Sequence, residues 1–309
     1  AYSLSLRQGE LQIPRPTVQH PRVVLLLTTL PLASVVAAKT ADLAENAVPQ
    51  LIIIGLVMAV IFLIGTGVIP ERHYSFSVYS ISFSLLTTMT LYTSYLNGRD
   101  AHWEFFFANR TLETGFWHAD VSFKAAVMLG ISVLRPSLAL IADLPLLSIY
   151  KYISPIAFAF VPVGVYLLAS RWMSARNAFL GTGFIFTFWG FYMKLSHNYR
   201  QQLAMLYLVI FLLALSHLAE RRGADHKSFG LVAIAGASGL LTSHYGLTFI
   251  MVFILSFTFI LSVVILVVNH FALKFEDRPS QLPLAVLGSF FVLTYVWYST
   301  IGNGILLSL

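Results

Sequence analysis

Cysteine is absent from all 309 residues. That excludes disulfides, thiolate nucleophiles and cysteine-based metal centres. Charge is the next scarcity: Asp, Glu, Lys and Arg make up 10% of the chain, against about 25% in globular domains. Only 13 carboxylates are present, so each one has to be accounted for. The sequence also lacks a glycine-rich nucleotide loop, a Walker pattern and a Ser–His–Asp arrangement, which leaves nothing to handle ATP or a cytoplasmic nucleotide-sugar. No cleavable signal peptide is evident.

What fills the chain is hydrocarbon. Apolar residues make up 58% of it and the mean hydropathy is +0.79. Several apolar runs approach the roughly 20 residues that cross a bilayer, and in lipid such runs must be helical to satisfy their own amides. The first candidate, Val23–Ala38, is short and interrupted by Pro31; Val48–Ile69 and Tyr74–Leu96 follow. The third is rich in Ser, Thr and Tyr, so one face is expected to pack on protein instead of lipid. Phe123–Leu134 and Ser137–Ile149, split by Arg135-Pro136, are too short to cross and fit interfacial or re-entrant helices. Ile153–Ser170, Ala178–Met193, Leu203–Leu218, Phe229–Ser243, Leu247–Val268 and Leu282–Ile301 complete the set. The expectation is an all-α, polytopic transmembrane helical bundle of about nine spans. Residues 1–22 form an amino tail, 23–309 the membrane module, and 97–150 the large outer loop. The chain starts at Ala1 and stops just after an apolar run, so a fragment of something longer is expected.

The formal charge of +6 points to cytoplasmic loops, not to nucleic acid. Placing the amino tail inside gathers Arg171 and Arg176, Arg221, Arg222 and Lys227, and Lys274 and Arg278 at short cytoplasmic loops, where the positive-inside rule works best. Asp100, His102, Glu104, Lys194, His197, Arg200, His244 and Tyr245 then all fall on the outer side of the membrane.

Ionisable groups at the hydrocarbon boundary are costly and are functional candidates. Asp100 and Glu104, directly after the third span, are the best-placed acids; Glu113, Asp120 and Asp143 are the others in the outer loop. If 100–109 is helical, Asp100 and Glu104 share a face and His102 points away. If it is extended, Asp100, His102 and Glu104 line one side as a metal-binding trio could. Trp103 and Phe105–Phe107 favour an interfacial helix with its aromatics at headgroup depth. The alternative is an ordinary juxtamembrane loop with solvated charges. In Lys194-Leu-Ser-His197-Asn-Tyr-Arg200-Gln201, a helix would place four polar side chains on one cationic face suited to phosphate; the plainer reading is cations snorkelling beside two spans. Ser243-His244-Tyr245-Gly246 reads as a tight outer turn, and Asn109-Arg110-Thr111 fits the N-glycosylation pattern.

The run Asn97-Gly98-Arg99-Asp100-Ala101-His102-Trp103-Glu104-Phe105-Phe106, followed by Glu113-Thr114-Gly115-Phe116-Trp117, resembles the first outer loop of GT-C superfamily glycosyltransferases. It is most similar to a poorly characterised archaeal and bacterial multi-span branch. Lys151–Tyr166, Arg200-Gln201 and Ser243–Leu247 add to the resemblance, which covers about Tyr74–Phe253. It implies a cell-envelope enzyme that moves a sugar from a polyprenyl-phosphate carrier to a glycan, lipid or protein acceptor on the non-cytoplasmic side. Asp100 would be the base or a ligand of a divalent metal such as Mg or Mn, with Glu104 and His102 beside it. Arg200, Lys194, His197, His244 and Tyr245 would meet the carrier phosphate. The chain departs from the superfamily in its weak first span and in lacking the soluble carboxy-terminal domain that members often carry. A transporter or flippase for an anionic lipid or sugar, and a structural subunit of a membrane complex, remain as other readings.

Overall fold

The computed structural model describes residues 20–118, 126–188, 190–220, 225–271 and 284–301. Among these residues every regular element is a helix, with no strand. The amino tail up to residue 19 and the expected positions Asp120, Lys124, Arg221, Arg222, Lys274 and Arg278 lie outside them.

Four helices are long and apolar enough to cross a membrane: α1 (Pro21–Ala44), α2 (Val48–Gly65), a later one at Leu146–Ala169 and another within Tyr199–Glu220. Their outward side chains suit lipid. Leu32, Val36, Leu51, Ile52 and Phe62 are all exposed although large and apolar. The first span is stronger than its sequence suggests, because the helix runs unbroken through Pro31 for 24 residues. Ser34, three residues on, folds its hydroxyl back onto the Pro31 carbonyl at 2.7 Å.

The third expected span is shorter than read. Helix α3 (Tyr74–Thr90) stops before residues 91–98, which are not helical. Its Ser and Thr face is buried against protein, as expected. Ser80 Oγ donates to the Leu27 carbonyl at 2.7 Å, Ser34 and Thr87 hydroxyls meet at 2.7 Å, and Gln50 Nε2 donates to the Thr88 carbonyl at 2.8 Å. Each contact joins α1 or α2 to α3 where no water competes.

After α3 comes α4 (Arg99–Thr114), then α5 (Leu129–Ala142), which bends at Val133. Arg135-Pro136 does not separate two helices; it sits in the first turn after that bend, where a proline costs no internal hydrogen bond. The second short piece is also not independent. Leu146 begins α6 (Leu146–Ala169), which continues past a wider, π-type turn at Ile149–Ile153 into the fourth expected span. Then follow α7 (Ala175–Thr187), α8 (Tyr199–Glu220), α9 (Asp225–Ser243), α10 (Tyr245–Phe271) and α11 (Leu284–Thr300). Helix α6 lies so close to α8 that a Cβ on Gly164 would come 1.9 Å from Val209 Cγ1. Chain direction puts the start of α8, the α9–α10 turn, the end of α3 and all of α4 at one end of the bundle.

Candidate functional site

The site begins with a glycine. Gly98 adopts φ +94°, a left-handed value that side chains resist, and a Cβ there would reach within 3.4 Å of His197. This lets the chain turn from α3 into α4 directly against the segment that precedes α8. Gly115, at φ +70°, closes α4 in the left-handed conformation of a helix C-cap.

Because 99–114 is helical, Asp100 and Glu104 share a face and His102 lies exposed on another. Opposite that shared face stands Arg200. Its Nη2 meets Asp100 Oδ2 at 2.8 Å and its Nε lies 3.4 Å from Glu104 Oε1. The second contact is ionic without being an aligned hydrogen bond, since neither atom has a hydrogen-bond partner. The Arg200 backbone N–H donates to the other Glu104 oxygen at 3.2 Å. One arginine thus links an acid whose side chain is 51% exposed to one that is 1% exposed.

That difference sets their chemistry. Burial pushes the Glu104 carboxyl up to about 7, against the pull of Arg135, Arg200 and the Arg200 amide. Asp100 reaches solvent and is open to a ligand.

The Lys194–Gln201 stretch is not one helix, which corrects the shared cationic face. Gly190–Lys194 is a π-type turn and Leu195–His197 a 3-10 turn, and α8 begins only at Tyr199. The break is made by Asn198, whose Oδ1 accepts from the Gln201 N–H at 3.4 Å while its Nδ2 donates to Gln201 Oε1 at 3.2 Å. This is an Asn-x-x-Gln capping arrangement. Lys194 is exposed, and His197 is half-buried against Gly98. Burial and nearby Lys151 hold the His197 imidazole below its ordinary range, so it is neutral at pH 7.

His244 joins from the α9–α10 turn. Burial first, then Arg200, pulls its imidazole down to about 4, and Asp100 partly offsets this. Its Nδ1 accepts the Leu247 N–H at 3.2 Å, so the neutral ring keeps its proton on Nε2. His244 therefore offers a neutral donor where the sequence suggested a cation. Tyr245 stacks on it with ring centroids 5.5 Å apart and packs in the apolar cluster that holds Ala101 and Tyr199.

Two buried cations escaped the sequence reading. Arg135, 4% exposed, donates to Ser154 Oγ at 2.5 Å and to the Tyr199 carbonyl at 3.0 Å. Its guanidinium lies over the Tyr150 and Tyr199 rings, 4.4 and 5.1 Å from their centroids. Tyr150 in turn donates to the Glu104 carbonyl at 3.1 Å. Lys151, also 4% exposed, grips the carbonyls of Thr93 and Tyr95, the latter at 2.8 Å, and so pins the segment leading to Asp100.

As for a metal, the trio of Asp100, His102 and Glu104 needs an extended strand, and the segment is a helix. Among the described residues no three His, Asp or Glu side chains come together as metal ligands would. The two carboxylates that do face each other are spanned by a guanidinium, a donor set fitted to arginine and not to a divalent cation. Of the other loop acids, Glu113 accepts from Asn109 Nδ2 at 2.6 Å within α4, and Asp143 closes α5 at φ 52°.

No family model, no curated protein and no solved structure matches this chain. Its functional reading rests on the chemistry of these residues.

Proposed function

We propose that this is an integral-membrane glycosyltransferase of GT-C type, with about nine spans, acting on a polyprenyl-phosphate-linked sugar at the non-cytoplasmic face. The observation that carries the reading is Arg200 bridging an exposed and a buried carboxylate at the α4 end of the bundle. Residues 100 positions apart supply a base and an anion-binding cation to one place.

The geometry supports an exchange. A carrier phosphate reaching Arg200 competes with Asp100 for the outer guanidinium nitrogens, while Glu104 holds Arg200 from beneath. Asp100, released, accepts the proton of the acceptor hydroxyl. The acceptor oxygen then forms a bond to the anomeric carbon as the bond from that carbon to the phosphate oxygen breaks. The leaving phosphate takes the electron pair and is met by Arg200, with the neutral His244 N–H beside it. One such displacement inverts the anomeric centre.

The carrier's tail needs apolar shelter. A groove of about 600 Å³ between α6, α7 and α8, lined by Val161, Val165, Phe184, Phe188 and Met205, ends at Leu195, next to Lys194. Trp103 and Phe106, both exposed on α4, would sit at headgroup depth.

The test is Asp100→Asn in reconstituted membranes. Transfer from a lipid-linked sugar should fall by roughly 10²–10⁴-fold with folding intact. Wild-type-like transfer would remove Asp100 from the reaction.

A further inference from the structure

The peptide group joining Tyr199 to Arg200 is held from both sides. Its carbonyl accepts from Arg135 Nη2 at 3.0 Å, and its N–H donates to Glu104 Oε2 at 3.2 Å. A cation on the oxygen and an anion on the N–H both lie along the peptide's own dipole, so each strengthens the other's contact. The same unit belongs to the first turn of α8, where backbone N–H groups have no partner inside the helix and favour a carboxylate. Arg135 is itself locked in place by Ser154 and two tyrosine rings. Among the described residues no carboxylate comes within 4.0 Å of it, so its charge is balanced at longer range by Glu104.

We propose that Arg135 is a positioning residue acting through this one peptide group: it aims Arg200, and as a buried counter-charge of Glu104 it favours the ionised form of that carboxylate when an anion takes Arg200 away. The proposal draws on the reading above only in making Arg200 the group that an anionic ligand takes. The groups facing Glu104 are Asp100 on its own helix, Arg135 from α5, Tyr150 from α6, and Tyr199 and Arg200 from α8; His244 faces Asp100 and Arg200. Both arginines favour the charged form of Glu104, Arg200 from 3.4 Å and Arg135 from beyond 4.0 Å. When a ligand takes the Arg200 side chain, Glu104 still has the buried Arg135 guanidinium and the Arg200 N–H.

The experiment is an infrared titration of the full chain in detergent micelles, following the protonated-carboxyl stretch that Glu104→Gln abolishes. In the unmodified chain the midpoint should lie near 7. Arg135→Met should move it to higher pH by about a unit or more. A merely structural role predicts the opposite sign, because a loosened fold admits water and returns Glu104 toward an ordinary glutamate value. A fixed or acid-shifted midpoint would overturn the proposal. Arg135→Lys keeps a cation but not the planar two-point grip, so its midpoint should stay near that of the unmodified chain while affinity for farnesyl phosphate falls about tenfold. Unchanged affinity would overturn the positioning role, and this variant carries the test if the Met variant does not fold. If the unmodified chain binds no farnesyl phosphate yet the Met variant shifts as stated, the Arg135–Glu104 coupling stands and the carrier-phosphate reading falls.

Discussion

At one end of the bundle charged side chains are buried; at the other the described ones lie nearer the surface. Arg171 donates to Ser216 Oγ at 2.6 Å and contacts the His217 ring at 3.0 Å, and that ring stacks on Phe229 at 4.5 Å. Arg176, exposed, reaches the Gly65 carbonyl at the end of α2. At the α4 end, by contrast, Glu104 is 0% exposed and Arg135 and Lys151 are 4% exposed. Removing an ion from water costs several kcal/mol even after the protein relaxes. Arg171 joins the end of α6 to α8 while keeping part of its surface in water. Buried ionisable groups of this kind mark the α4 end as the candidate functional site.

Breaking the α4 end should hurt far more than breaking the other. Arg200→Met takes from the buried Glu104 the guanidinium 3.4 Å away and should destabilise the protein by about 3–5 kcal/mol, read from unfolding in detergent. A loss as small as that expected for Arg176→Ala would erase the contrast between the two ends.

The pH dependence sharpens the comparison next. Glu104 has a raised value, so its contribution makes the protein less stable as pH rises from its unfolded value, about 4.5, to about 7, by about 3 kcal/mol in all. His244 has a lowered value, so its contribution is present above its unfolded value of 6.5 and is lost as pH falls toward about 4, by a similar amount. Between about 4.5 and 6.5 the two slopes oppose each other, and the unmodified chain should show a nearly flat profile. Glu104→Gln should unmask stability that rises with pH, and His244→Gln stability that falls. Parallel profiles for the two variants would refute the assignment.

Lys151→Met leaves the Thr93 and Tyr95 carbonyls without their buried donor and should cost about 1–3 kcal/mol. Arg176→Ala, at the opposite end, should stay within about 0.5 kcal/mol.

Much of this was legible in the sequence. The apolar runs gave the helices, the Ser and Thr run in α3 gave its buried face, and the helical spacing of Asp100 and Glu104 put them together. Asp100 and Arg200, read as candidates for one site, do meet. Arg135 was hidden because Arg-Pro after an apolar run reads as a break, and its partners lie up to 64 residues away. Lys151 was hidden because its acceptors are backbone carbonyls, which leave no mark in sequence. The charge of His244 depends on burial by other helices, which spacing does not report. The start of α8 could have been read from Asn198-x-x-Gln201, a capping pattern written in plain residue types.

The wide turn at Ile149–Ile153 holds one residue more than an ordinary helical turn. Side chains before and after it thus keep different angular schedules, and within it Tyr150 is turned to Glu104 and Arg135 and its neighbour Lys151 to the Thr93 and Tyr95 carbonyls. Excising a single residue there would wind both stretches onto one schedule and swing one of them by about 100°. No replacement of a side chain could imitate that, so a deletion in this turn reaches the site by a route that substitutions leave untouched.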